Sequence, residues 1–167
     1  MKINYINFNK KLEDKFGSLI DDVFSTIIKK LQLINELECN LFLTSGCKIK
    51  KVNKLNRGIN KKTDVLSFPA LNLEIENLSA TLIKENFPTD IIRDTGNLNL
   101  GDIMLCYSVV KKQAKKYNNT IEREMAYMVV HSILHLLGYN HDNDDNKKQM
   151  RIEEEEVLAQ VGLQRSE

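Results

Sequence analysis

Three histidines are the residues of this chain whose types and spacing point most directly to chemistry. They are the only histidines among its 167 residues, and all lie in one segment, as His131, His135 and His141 of HSILHLLGYNH. A spacing of four places the first two on one face of a helix, and Gly138 allows the sharp turn that brings the third back. Three imidazole nitrogens with a fourth, exchangeable position are typical of a catalytic zinc site. The pattern predicts one bound metal ion, and Zn²⁺ is favoured over the other metals that imidazole suits.

The same spacing occurs in the metzincin proteases, which carry a glutamate after the first histidine as the general base of peptide hydrolysis. In this chain that position is Ser132, and a serine hydroxyl is not a useful base near neutral pH. Met150 is a candidate for the methionine turn of the metzincins, but we expect it to be a core residue. A zinc peptidase is therefore the less favoured alternative.

Charge is segregated along a chain whose formal net charge is only +1. The segment from 48 to 62 holds Arg57 and six lysines but no acidic residue, whereas the segment from 142 to 156 is rich in Asp and Glu. Such asymmetry is compatible with a face that binds a polyanion, although the charge pattern alone favours a solvated lysine-rich surface. The candidate polyanion-binding lysines are Lys48, Lys50, Lys51, Lys54, Lys61 and Lys62.

The composition is that of a globular protein, with 42% hydrophobic and 28% charged residues. No stretch approaches the roughly 20 apolar residues that span a bilayer, and the N-terminal residues lack the apolar core of a secretory signal. Three cysteines without a CxxC pair indicate neither a disulfide framework nor a zinc ribbon. These features predict a protein of the reducing cytoplasm, with no membrane contact.

The elements that must position the histidines follow from hydrophobic periodicity and cap signals. Thr120 is the expected N-cap of a helix that runs to about Leu137 and carries the HxxxH pair. Strands and helices alternate irregularly, which predicts a single α+β or α/β domain over residues 1–167. The expected strands are 3–8, 37–44, 64–69 and 98–106; the expected helices are 12–34, 49–55 (ending near Gly58), 107–117, 120–137 and 146–161, with a long excursion, partly helical near 79–86, over 70–97.

Several blocks together resemble the YbeY-type endoribonucleases, the rRNA maturation factors of bacteria. HSILHLLGYNH resembles the signature of that family, and LNRGINKKTDVLSFP (55–69), LGDIML (100–105) and MRIEEEEVLAQVGL (150–163) are similar to further blocks in the same order. Two departures stand out. Asn140 occupies a position before the third histidine that is commonly Asp in the family, and residues 70–97 are longer than the usual connection.

The resemblance implies a metal-dependent endoribonuclease, specific for single strands, that acts in small-subunit rRNA processing and ribosome quality control. It implies an α+β fold in which a small mixed sheet packs with helices and a zincin-like HxxxH helix binds zinc. Arg57 matches the arginine that the family holds in the cleft near the metal. The implied partners are single-stranded RNA, rRNA and the small ribosomal subunit, with no DNA.

These residues fit phosphodiester hydrolysis. We expect a zinc-bound water to attack the phosphodiester, and the planar guanidinium of Arg57 to hold the scissile phosphate and stabilise the developing charge. The lysines would contact neighbouring phosphates. The alternative in a different class is a non-catalytic ribosome assembly factor with a structural metal.

Overall fold

Four strands form one mixed sheet in this computed structural model, which describes residues 1–164. They are β1 (Lys2–Ile6), β2 (Leu37–Leu43), β3 (Val65–Pro69) and β4 (Leu98–Leu105). Their order is β1-β2-β4-β3, with β1, β2 and β4 mutually parallel and β3 antiparallel to β4 at one edge. The predicted α+β class with a small mixed sheet is confirmed, and residues 165–167 of the predicted domain lie outside the described part.

Six α-helices accompany the sheet within the same residues. They are α1 (Lys10–Lys30), α2 (Gly46–Arg57), α3 (Leu78–Thr81), α4 (Tyr107–Lys116), α5 (Ile121–Leu136) and α6 (Asp144–Gln160). Four of them have an N-cap whose side chain accepts a hydrogen bond from the backbone N–H three residues ahead: Asn9, Ser45, Thr120 and Asn143. The caps explain why these helices start where they do, and Thr120 is the cap that the sequence predicts.

Helix α5 is the centre of the main core. It contacts α1, α4, α6 and strands β3 and β4, and it is apolar around most of its circumference, as expected for a buried helix. Its fully buried members include Ala126, Val129, Val130, Ile133, Leu134 and Leu136. A smaller cluster on the other face of the sheet is built around Ile49, Leu66 and Cys106. The histidine-bearing helix is therefore held on several sides by packing.

The observed boundaries differ from the predicted ones at three helices. α2 begins at Gly46, three residues earlier than predicted, because Ser45 provides the N-cap. α1 ends at Lys30 rather than near residue 34, because Gln32 adopts a left-handed φ of 54° that the helix cannot continue through. α6 begins two residues earlier than predicted, because Asn143 provides the N-cap. Gly58 ends α2 with a φ of 71°, as predicted.

Residues 70–97 form a folded excursion with little regular structure. They contain α3 and two 3₁₀ turns, Lys84–Asn86 and Pro88–Asp90, in keeping with the expected partial helix. Leu71, Leu73, Leu78 and Leu82 are buried in the main core, which explains how so long a connection remains packed. Within residues 1–164, none of the helices combines the length and apolarity needed to cross a membrane.

Candidate metal centre

The turn after α5 determines where the third histidine lies. The chain leaves the helix through Leu137 and then Gly138, which has a φ of 93°. A methyl group on Gly138 would overlap the carbonyl oxygen of Leu73 in the excursion. Both the left-handed backbone and the close approach thus require glycine, and they carry the chain back towards the HxxxH face.

The three imidazole rings meet at one point. Nε2 of His131 lies 3.1 Å from Nε2 of His135, and one potential ligand nitrogen from each of His131, His135 and His141 lies within 4.8 Å of the others. The ring centroids are 4.5 to 5.8 Å apart. The convergence that the spacing predicts is therefore present, and the cluster comprises three residues in the described part of the chain.

The other ring nitrogens of the two helical histidines have fixed partners. Nδ1 of His131 lies 2.7 Å from a carboxylate oxygen of Glu154, which belongs to α6. Nδ1 of His135 lies 2.8 Å from the backbone carbonyl oxygen of Tyr139. An acceptor at Nδ1 places the proton there and leaves the lone pair on Nε2. Both Nε2 atoms therefore offer lone pairs towards the cluster.

The donor set fits a zinc ion. Nitrogens bound to tetrahedral zinc at the usual distance are about 3.4 Å apart, close to the separation of the two helical histidines. Burial, followed by the nearby charge of His131, lowers the pKa of His135 to about 4. His135 is thus neutral at neutral pH without a metal, which is the form that binds one.

Glu154 is a charged residue in the protein interior. Its exposed fraction is 3%, and its second carboxylate oxygen lies 3.1 Å from the Arg151 guanidinium. Burial would raise the pKa of Glu154, but hydrogen bonding and charge from His131 and Arg151 outweigh burial and hold the pKa below its usual value. A buried carboxylate paired in this way stays ionised.

A cavity of about 700 Å³ opens over the three rings. Arg57, at the last turn of α2, lines this cavity together with His131, His135 and His141. The structure thus brings an exposed guanidinium into the same cavity as the histidine cluster. A second cavity of about 760 Å³ also borders His131 and His141 and extends towards α6.

Asp64 lines the same cavity as Arg57 and is held in place by hydrogen bonds. Its carboxylate accepts from the Thr63 hydroxyl, the Val65 amide and the Gln113 side chain at 2.7–2.8 Å. Burial would raise the pKa of Asp64, but these hydrogen bonds outweigh it and keep the pKa below its usual value. Asp64 therefore contributes a fixed negative charge beside the cavity.

The candidate lysines lie on α2 and in the loop that follows it. Asn53 is buried and donates to the carbonyl oxygen of Lys61, which ties the loop after α2 back onto the helix. The Lys62 side chain lies against Gly46 at the start of α2. Lys50 is half-buried and the other five are exposed: Lys48, Lys51, Lys54, Lys61 and Lys62. Segment 48–62 lies within the described residues, and Arg57 is its one basic residue that lines the cavity.

Three further residues that the sequence singles out do not belong to the histidine cluster. The Ser132 hydroxyl is buried and donates to the carbonyl oxygen of Met128 one turn earlier, so it points along the helix. Met150 is buried in the main core, as expected. Asn140 accepts from the amide of Asp142 and the side chain of Asn146, and so stabilises the loop that carries His141.

Comparison with known proteins identifies the family of this chain. The family model described as Endoribonuclease YbeY matches residues 2–162. The chain belongs to the Endoribonuclease YbeY family. It is 36% identical over 159 residues to the Endoribonuclease YbeY of Clostridium beijerinckii, covering 94% of this chain and 95% of that one. Identity to the Clostridium tetani protein of the same name is 37% over 156 residues, covering 93% of both.

A solved structure is also similar to this YbeY family member. The solution structure of a Thermotoga maritima protein superposes with a TM-score of 0.59 at 28% identity, covering 96% of this chain and 89% of that chain. The resemblance drawn from the sequence blocks is therefore confirmed along nearly the whole chain, including residues before the first of those blocks.

Sequence reasoning missed the residues that support the cluster from α6. Glu154 and Arg151 occur in an acidic run that is typical of a solvated surface. Yet Met150, Val157 and Leu158 are buried, and helical spacing places residue 154 on their face. A charged residue on the apolar face of an amphipathic helix is the signal that marks Glu154.

Proposed function

We propose that this protein is a metal-dependent endoribonuclease that cleaves single-stranded RNA and acts in rRNA processing. Its membership of the Endoribonuclease YbeY family supports the reaction class. The observation that carries the proposal is the cavity in which three convergent imidazoles lie with an exposed arginine. A cation site that shares a cavity with a guanidinium suits a reaction at a phosphodiester, whose charge grows in the transition state.

His131, His135 and His141 would hold one Zn²⁺ ion. When bound at such a site, zinc lowers the pKa of a water ligand towards about 7 and polarises a phosphoryl oxygen. The chain supplies the orientation, since Glu154 and the Tyr139 carbonyl fix the two helical rings through Nδ1. The site is exposed to substrate through the cavity that all three rings line.

Arg57 would bind the scissile phosphate. Its position at the end of α2, before the left-handed Gly58, projects the guanidinium into the cavity. A guanidinium presents two parallel donors to phosphate oxygens and remains charged throughout the reaction. Its role is to orient the phosphodiester and to stabilise charge on the equatorial oxygens.

The exposed lysines of α2 and the following loop would contact phosphates on either side of the scissile one. Such contacts carry no sequence information and fit a substrate recognised as a flexible single strand. The corresponding substrate in the cell is rRNA of the small ribosomal subunit, processed in the cytoplasm. DNA and membranes are not expected partners.

A peptidase is disfavoured by a specific observation. The position of the protease glutamate is held by Ser132, whose hydroxyl is committed to the helix backbone and buried. It therefore contributes no base to the cavity.

The decisive experiment compares metal content and RNA cleavage in the same preparations. His131→Ala should lose both zinc and cleavage of a labelled single-stranded RNA. Arg57→Ala should retain zinc but lose about 10²–10³ in rate, the usual effect of removing one donor to the transition state. A double-stranded RNA of the same sequence should be cut poorly.

Arg93→Ala is the matched control, because Arg93 is also an exposed arginine but does not line either cavity described above. It should behave like the wild type. If the metal-loaded protein leaves single-stranded RNA intact, or if His131→Ala cleaves it at the wild-type rate, the proposal is wrong. A protein that binds zinc but leaves single-stranded RNA intact would favour the non-catalytic assembly factor.

A further inference from the structure

The contact between α6 and His131 is one of the polar contacts between α5 and α6, which also share the Arg123–Glu155 ion pair at 2.7 Å. Glu154 approaches Nδ1 of His131 at 2.7 Å, with 3% of its surface exposed. Its other oxygen is bound by Arg151 at 3.1 Å. We propose that Glu154 is a positioning residue for the metal site: its carboxylate fixes the tautomer and ring orientation of His131 and strengthens that ring as a ligand. The inference rests on the proposed metal-dependent function.

The geometry determines which nitrogen carries the proton. An ionised carboxylate only accepts hydrogen bonds, so Nδ1 of His131 must donate to Glu154. In the neutral ring, which is the form that binds a metal, Nε2 then holds the lone pair, and it is Nε2 that faces Nε2 of His135 at 3.1 Å. With the opposite tautomer, Nδ1 and the carboxylate would face each other with lone pairs in the protein interior.

The two helical histidines are supported differently. His135 donates to the neutral carbonyl of Tyr139, four residues along the chain. His131 donates to a charged group that comes from another helix, 23 residues away. A carboxylate partner raises the basicity of the imidazole more than a carbonyl does, and the loss of such partners weakens metal binding by about 10–100-fold.

The carboxylate itself is held by a chain of contacts. The Arg151 guanidinium lies over the Tyr127 ring, 5.1 Å from its centroid, so α5 fixes the residue that holds Glu154. Arg151 also bonds Glu155 at 2.6 Å. Tyr127 and His131 are four residues apart on α5 and so lie on one face of that helix. The contacts therefore run from the Tyr127 ring through Arg151 and Glu154 to His131 and return to α5. These contacts hold Glu154 in a single position beside His131.

An ion pair that only docks α6 onto α5 is the competing explanation, and metal affinity distinguishes the two. Glu154→Gln keeps the shape and an acceptor oxygen but removes the charge. Zinc affinity, measured by competition with a chromophoric chelator, should fall by about 10–100-fold. Glu153→Gln is the matched control, because Glu153 is a partly buried acid on the same helix that pairs with Lys30 at 2.6 Å and not with a histidine.

A second measurement needs neither zinc nor activity. In the metal-free protein, the ¹⁵N shifts of the His131 ring report its tautomer. The wild type and Glu153→Gln should show Nδ1 protonated, whereas Glu154→Gln should show a mixture. Glu154→Asp, which keeps the charge but shortens the side chain, should give an intermediate zinc affinity and also serves if Glu154→Gln folds poorly.

The role of Glu154 is refuted if Glu154→Gln weakens zinc binding no more than Glu153→Gln, or if the His131 tautomer is unchanged. Failure of the proposed function is a separate result. A wild-type protein that binds zinc with the expected tautomer but leaves RNA intact would contradict the nuclease and not the positioning role of Glu154.

Discussion

Replacing Gly138 with alanine should destabilise the fold and displace His141 in one step. Gly138 combines a φ of 93° with a close approach to the Leu73 carbonyl oxygen. A Cβ in the left-handed region costs about 1–2 kcal/mol. Forcing Leu73 aside adds a packing cost of about 1–3 kcal/mol, because Leu73 is itself buried in the core.

The resulting loss of unfolding free energy is about 3 kcal/mol, which for a chain of this length lowers the Tm by roughly 6–12 °C. The assay is thermal and urea denaturation of the metal-free protein, followed by circular dichroism. Zinc affinity should fall in parallel, because the turn at Gly138 sets the position of the loop that carries His141.

Gly96→Ala separates the two contributions. Gly96 also has a positive φ, of 67°, but a Cβ there meets no atom within 4 Å. Gly96→Ala should lower the free energy of unfolding only by the backbone strain, about 1–2 kcal/mol, and should leave zinc affinity unchanged. If Gly138→Ala destabilises the protein no more than Gly96→Ala, the close approach to Leu73 is not a real constraint and the reasoning is refuted.

Three other predictions follow from the site. Ser132→Ala should leave RNA cleavage intact and cost about 1 kcal/mol of stability or less, since its hydroxyl bonds only Met128; a large loss of cleavage would contradict this orientation. Replacing Lys61 and Lys62 with alanine should reduce the slope of log affinity for single-stranded RNA against log salt by about 0.7 for each phosphate that is no longer neutralised; an unchanged slope would remove them from the interface. The pKa of Asp64 is held low, so its stabilisation is present above the unfolded pKa of about 3.9 and is lost as the pH falls through the lower folded pKa. Asp64→Asn should flatten the acid side of the stability curve in urea titrations, and an unaltered acid side would contradict the assignment.

Local patterns were sufficient for most of the elements. The Thr120 cap, the positive φ of Gly58 and the 3.6-residue period of α1 involve residues within a few positions of one another. Their physical basis, which is hydrogen bonding in the first helical turn and steric freedom of glycine, does not depend on distant contacts. The end of α1 was harder to predict, since apolar residues continue to Ile34 although Gln32 turns the chain.

The position of Arg57 illustrates the limit of such reasoning. Its place at the end of α2 could be predicted from Gly58, but its presence in the histidine cavity depends on how α2 packs against β3. The family resemblance implied that Arg57 lies in the cleft, but it gave no physical explanation for that position. The structure provides the reason, because helix and strand bring residue 57 to the cavity that α5 lines from the other side.

The residues that suit a metal and a polyanion can be recognised from local patterns: three imidazoles at helical spacing, a glycine at the turn and a basic segment. These are short-range features, fixed by covalent geometry and helix periodicity. The contact of Glu154 with His131 could not be found in this way, because Glu154 belongs to an acidic run on another helix and reaches His131 in the protein interior. Burial decides whether a charged side chain is solvated or bound to a partner, and burial depends on the packing of α6 against α5, which no local pattern specifies.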